Sequence, residues 1–100
     1  MKEDEMQKPQ EMAQRGKVRS HRDLIVWQKA MDLVDKTYDA TERFPSKEEY
    51  RLVSQLVRSA ISVPANIAEG STRATSRDFA HFLNIAKSSI AELDTEVEIA

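Results

Sequence analysis

Cysteine is absent from the 100 residues, so the chain can form no disulfide and offers no thiolate to a metal. Glycine occurs twice and proline three times, which leaves few obligatory turns and few places where a helix must break. That scarcity favours long helices over a sheet assembled from many hairpins. The longest unbroken apolar run is Leu24-Ile25-Val26-Trp27, far short of the ~20 residues that span a bilayer. No apolar segment follows the charged start at Met1 to Glu5, so a secretory signal is not expected either. These absences predict a cytoplasmic protein with no membrane segment.

What is present points to long amphipathic helices: 40% of residues are hydrophobic and 32% are charged. The net charge of −2 hides an uneven distribution. Arg15, Lys17, Arg19 and Arg22 occupy the stretch from Met12 to Arg22 with no acid among them, whereas Glu92, Asp94, Glu96 and Glu98 follow one another with no base.

Residues 1–21 lack apolar periodicity and read as a flexible N-terminal arm; residues 22–100 read as a helical bundle. The first helix is predicted over 24–43, with Trp27, Ala30, Met31, Val34, Thr37, Tyr38 and Thr41 on one face and Phe44-Pro45 as its stop. The second spans 46–69. It opens on a Ser46/Glu49 capping box and carries Tyr50, Val53, Leu56, Val57, Ala60, Ile61, Pro64, Ile67 and Ala68 inward. Pro64 removes one backbone hydrogen bond, but the apolar spacing stays in phase beyond it, so a single kinked helix is expected. Gly70 is placed to close that helix in the left-handed conformation. The third helix, 75–100, starts at a Thr75 or Ser76 cap and carries a heptad seam of Phe79, Leu83, Ala86, Ile90, Leu93, Val97 and Ala100.

Short connections make consecutive helices antiparallel neighbours, so the fold class is an all-α, up-and-down helical bundle. The heptad runs to the last residue without Gly, Pro or a basic cap. The pattern therefore predicts a bundle of the four-helix type whose last helix is missing from this chain, or whose cover comes from a neighbouring chain.

Several segments together carry a recognisable pattern. They are Asp23-Leu24-Ile25-Val26-Trp27-Gln28, Phe44-Pro45 with Glu49-Tyr50, and Gln55-Leu56-Val57-Arg58-Ser59-Ala60. Asn66-Ile67-Ala68-Glu69-Gly70, Asp78-Phe79 with Phe82-Leu83, and Ala86-Lys87-Ser88-Ser89-Ile90-Ala91-Glu92-Leu93 complete it. The chain from Asp23 to Ala100 thereby resembles the four-helix-bundle family encoded in intervening sequences of bacterial 23S ribosomal RNA genes. It departs from that pattern at Ser88, where the family commonly has glycine, and in lacking the family's final helix. The resemblance implies an antiparallel four-helix bundle and a ring-like homo-oligomer, often a pentamer. It also implies a likeness to the accessory protein of diversity-generating retroelements, in which a basic surface engages nucleic acid. The family's name records genomic position, so binding of ribosomal RNA is an expectation that the resemblance raises.

Arg15, Lys17, Arg19 and Arg22 are candidates to neutralise phosphates, as are Arg51, Arg58, Arg73 and Arg77 along and beyond the second helix. Against this stands the plainer reading of a solvated arm and a polar stripe that sets helix register. In that reading Gln55, Asn66, Glu69, Gly70, Ser88, Ser89 and Glu92 are structural or interface residues, Arg58 pairs with Glu92, and Asn66 ties the bent backbone. The aromatic residues Trp27, Tyr38, Tyr50, Phe79 and Phe82 are expected in or beside the core. A di-iron site would need two acid-x-x-His motifs, and only Asp78-x-x-His81 exists. No phosphate loop, nucleophile elbow or metalloprotease motif is present, so neither a cofactor nor an enzymatic activity is expected. Two functions remain: an oligomeric module that binds structured RNA, or a scaffold for protein partners.

Overall fold

The computed structural model describes residues 18–44 and 50–100, and among these it contains three α-helices and no strand. They are α1 (Ile25–Thr41), α2 (Tyr50–Ser71) and α3 (Ser76–Ile99), with a short 3-10 turn at His21–Asp23 ahead of α1. Arg15, Lys17 and the Ser46/Glu49 capping box lie outside the described residues.

Local chemistry sets the helix ends. Ser20 Oγ accepts the Arg22 amide at 3.2 Å and shapes the 3-10 turn. The Gln28 side-chain amide then donates to the Arg22 carbonyl at 2.9 Å, fastening that turn to the first coil of α1. Leu24, the N-cap of α1, contributes no side-chain bond. α1 ends two residues before the predicted 43, where the Glu42 amide donates to Tyr38 O and the Phe44 amide to Thr41 O. At the start of α3, Thr75 Oγ1 accepts the Asp78 amide at 3.1 Å, and Asp78 adds a carboxylate to the positive end of the helix. Thr75→Ala should therefore lower stability by about 1 kcal/mol, read as a shifted urea midpoint with unchanged slope.

α2 passes through Pro64 without a break. The residues around the proline are the most deeply buried in the protein: Ala60, Val63, Pro64 and Ile67 all face inward. Their burial offsets the missing backbone bond, which alone costs ~3 kcal/mol against alanine. One expectation fails at the end of this helix. Gly70 has no positive φ and does not terminate α2, which continues to Ser71. Its role is steric. A Cβ built on Gly70 would stand 2.8 Å from Phe79 Cδ1 and 2.8 Å from Phe82 Cβ, so the bare backbone is what lets the start of α3 come so close.

α2 is the central element, packed extensively against α3 and less so against α1. Two apolar clusters stack along it. One joins Ala30, Val63, Ile67 and Ala86, with Leu24, Trp27 and Leu33 against them. The other joins Val34, Leu56, Ala60 and Leu93, with Leu33, Phe44 and Leu52 alongside. The first half of α1 therefore lies beside the last half of α2 and the first half of α3, as antiparallel neighbours require.

The expected inner faces are only partly correct. Tyr38 and Tyr50 are exposed, Tyr50 to 75%. Met31 and Ile61 are exposed as well. In α3 the predicted heptad seam divides: Ala86 and Leu93 are buried, but Leu83, Ile90 and Val97 remain 36%, 47% and 57% exposed. The buried stripe instead runs through Ala86, Ser89 and Leu93, which face α2. Leu83, Ile90 and Val97 open onto a trough between α3 and α1.

Candidate functional site: the basic end of the bundle

The fold collects arginines from two distant parts of the chain. Arg19 precedes the 3-10 turn and Arg22 lies within it, and the turn packs on both α1 and α2. Arg73 follows the end of α2, and Arg77 sits in the first turn of α3. Antiparallel packing brings the start of α1, the end of α2 and the start of α3 to one end of the bundle. All four arginines are exposed there.

Their surroundings differ. The Arg19 backbone amide donates to Asp23 Oδ2 at 2.9 Å. The Arg22 guanidinium lies 5.7 Å from the centroid of the Trp27 ring, and His21 meets the same ring edge-on at 5.0 Å. Trp27 is thus half-buried, and its ring holds the Arg22 guanidinium close to the helix start. Arg73 is the most constrained. It pairs with Glu69 one turn earlier and lies over Phe82 at 4.7 Å. Arg22 and Arg77 form no ion pair among the described residues, so their charge is the most available to a ligand.

Arg51 and Arg58 do not join this group. Arg51 is exposed in the first turn of α2, at the far end of the bundle, and Arg58 is exposed midway along it. The suggested pair between Arg58 and Glu92 does not form: both side chains are exposed and the ion pair among the described residues is Arg73 with Glu69. The end opposite the basic cluster carries Asp39 and Glu42 from α1 and Asp94, Glu96 and Glu98 from α3. Charge runs unevenly along the molecule in space as well as in sequence.

The remaining polar stripe forms a small network between α2 and α3. Ser62 Oγ and Ser89 Oγ lie 2.7 Å apart, and Ser89 Oγ also donates to the Ile85 carbonyl at 3.2 Å. The Asn66 side-chain amide donates to Ser62 O at 2.8 Å and to Ser62 Oγ at 3.0 Å. Asn66 thus engages the helix turn that contains Pro64, and Ser89, 5% exposed, locks α3 to it. Ser62 was missed as an anchor by the sequence reading, although its position in the stripe beside Asn66 was visible. Gln55, Ser88 and Glu92 are exposed.

No group of three His, Cys, Asp or Glu side chains converges to hold a metal among the described residues. None of the described helices is long and apolar enough to cross a membrane.

An all-helical module, with a central helix flanked by two others and arginines gathered at one end, is the class that this geometry defines. The chain belongs to the 23S rRNA-intervening sequence protein family, whose sequence profile matches residues 22–100. A comparison with curated proteins finds no match.

Proposed function

We propose that this protein is a non-enzymatic, oligomeric bundle of the four-helix type that binds structured RNA in the cytoplasm through its basic end. The observation that carries the reading is the convergence of Arg19, Arg22, Arg73 and Arg77, from segments separated by some fifty residues of sequence, at one end of the fold. Arginine is suited to this role because its planar fork matches phosphate oxygens and stacks on bases. The family's name records the genomic position of its genes, inside 23S ribosomal RNA genes, which makes ribosomal RNA the first target to test. The architectural part of the reading rests on the trough between α1 and α3, where a fourth helix would complete the bundle.

Binding to folded ribosomal RNA fragments, measured from low to physiological salt beside an unrelated RNA of equal length, tests this reading. A preference for the ribosomal fragments that survives physiological salt is expected. The R22E/R77E variant should bind at least about tenfold more weakly, with a flatter dependence of affinity on salt, because fewer counterions are released. Equal binding of both RNAs, confined to low salt, would sink the proposal.

A second reading, a scaffold for protein partners, is favoured by a separate observation. Leu83, Ile90 and Val97 line an open apolar trough instead of a closed core.

A further inference from the structure

The arginines of the basic end differ in what lies beneath them. The Arg73 guanidinium lies over the Phe82 ring, 4.7 Å from its centroid, and the Arg22 guanidinium lies 5.7 Å from the centroid of Trp27. Each ring has a second partner. The chain holds two histidines, and both meet these rings edge-on, His21 at Trp27 (5.0 Å) and His81 at Phe82 (5.3 Å). Trp27 and Phe82 are half-buried, whereas Arg22 and Arg73 are exposed. Arg73 keeps 42% of its side-chain surface open although it pairs with Glu69. One arrangement therefore occurs twice: a half-buried ring, an imidazole at its edge and an exposed guanidinium over it.

Packing fixes where the two stand. Trp27 lies against the cluster that contains Ile67 and Ala86. Phe82 precedes Ala86 by one turn of α3 and approaches Gly70, one turn beyond Ile67 in α2. Both rings are thus anchored at the same end of the core, one on α1 and the other on α3, with the last turns of α2 between them. Arg19 and Arg77 are exposed at that end and add charge beside the two stacked arginines.

We infer that Arg22 and Arg73 each stack on an unpaired nucleobase of the RNA, while Arg19 and Arg77 meet the neighbouring phosphates. This inference rests on the reading of the basic end as an RNA-binding surface and adds the part of the RNA it selects: a loop or bulge instead of a paired stem. A base within a stem is covered on both faces by its neighbours, and the deep, narrow groove of an A-form helix keeps side chains from its edges. An unpaired base offers a free π-face. The guanidinium is planar and weakly hydrated, so it stacks on such a face where an ammonium group does not. The ring beneath each arginine restricts the side chain before the base arrives, which reduces the entropy lost on binding. Trp27 and Phe82 already have two partners each, so the flat group offered to the base is the guanidinium and the ring stays part of the core.

Two RNAs with the same number of nucleotides, titrated into the whole chain, test this. One is a stem capped by a loop of unpaired adenines, and the other is a fully paired duplex. The looped RNA should bind at least about tenfold more tightly at physiological salt, the effect expected of stacked bases. Trp27 is the single tryptophan of the chain, so its fluorescence should change when the looped RNA binds and stay nearly constant with the duplex. The R22K/R73K variant keeps both charges and loses both planar groups. Its affinity for the duplex should keep the same salt dependence, while its preference for the loop falls to within about twofold. Circular dichroism and Tm of the free variant confirm that it is folded. Equal binding of the two RNAs by the unaltered chain would overturn base stacking and leave phosphate binding at the basic end standing. An undiminished preference in R22K/R73K would overturn the assignment to these two arginines. If neither RNA binds at physiological salt, the basic end is not an RNA-binding surface and the inference falls with that reading.

Discussion

Ile67→Ala is expected to lower the unfolding free energy by about 2–5 kcal/mol, a large part of the roughly 5–15 kcal/mol that holds a domain together. Ile67 is the largest side chain that is almost wholly buried, 2% exposed, and it joins the cluster that binds α1, α2 and α3 to one another. Truncation removes three carbon atoms from the point where all three helices meet. The neighbouring Ala30 and Ala86 have no longer side chain to extend into the space, so the cavity cannot collapse far. Pro64 and its missing backbone bond lie one turn away, so the burial that compensates for the proline is weakened by the same change. Chemical denaturation followed by helix ellipticity reads the effect. Ile67→Val, which removes one methyl, should cost only about 0.5–1.5 kcal/mol. Similar losses for the two variants would show that the site is not closely packed.

Gly70→Leu should destabilise by about 3 kcal/mol for the opposite reason: overfilling. Even the first carbon of a side chain would arrive 2.8 Å from Phe82 Cβ, an atom fixed to the α3 backbone, so relief requires α3 to move away from α2. Gly70→Ala separates the two terms. Alanine gains up to ~1 kcal/mol of helix propensity but meets the same contact, and a net loss of about 1 kcal/mol is expected. A stabilised Gly70→Ala protein would mean that the helices are farther apart at this point than the structure places them. Retention of Tm by Gly70→Leu would carry the same meaning.

Helix existence was legible in the sequence because periodicity is local. The Thr75 cap needs only residues in one turn, and the continuation of α2 past Pro64 followed from the unbroken phase of Ala60, Pro64 and Ile67. Gly70 was misread because two physical reasons lead to the same residue: a left-handed backbone, or the need to omit a Cβ. Only the position of Phe79 and Phe82 decides between them. The heptad in α3 was legible as a shared face, and its run without a covering helix in sequence pointed to an open side, where Leu83, Ile90 and Val97 line the trough. Which members of the seam α2 buries was not legible, because periodicity does not say which neighbour a face meets. The collection of Arg19, Arg22, Arg73 and Arg77 was half legible, since antiparallel order follows from short connections. The separation of Arg51 from them follows from the same rule, yet a single polar stripe along α2 obscured it.

The central position of α2 has a consequence for how the chain finds this fold. Because α1 and α3 meet chiefly by packing on α2, most tertiary contacts join helices that are adjacent in sequence. Only short loops must close before contacts are gained, which places the topology among those of low contact order and rapid folding. The same arrangement makes α2 the main connection between the two interfaces among the described residues. Between those interfaces lies the turn where Pro64 leaves the Ala60 carbonyl without its backbone donor, and the Asn66 side chain adds a bond to the Ser62 carbonyl in the same turn.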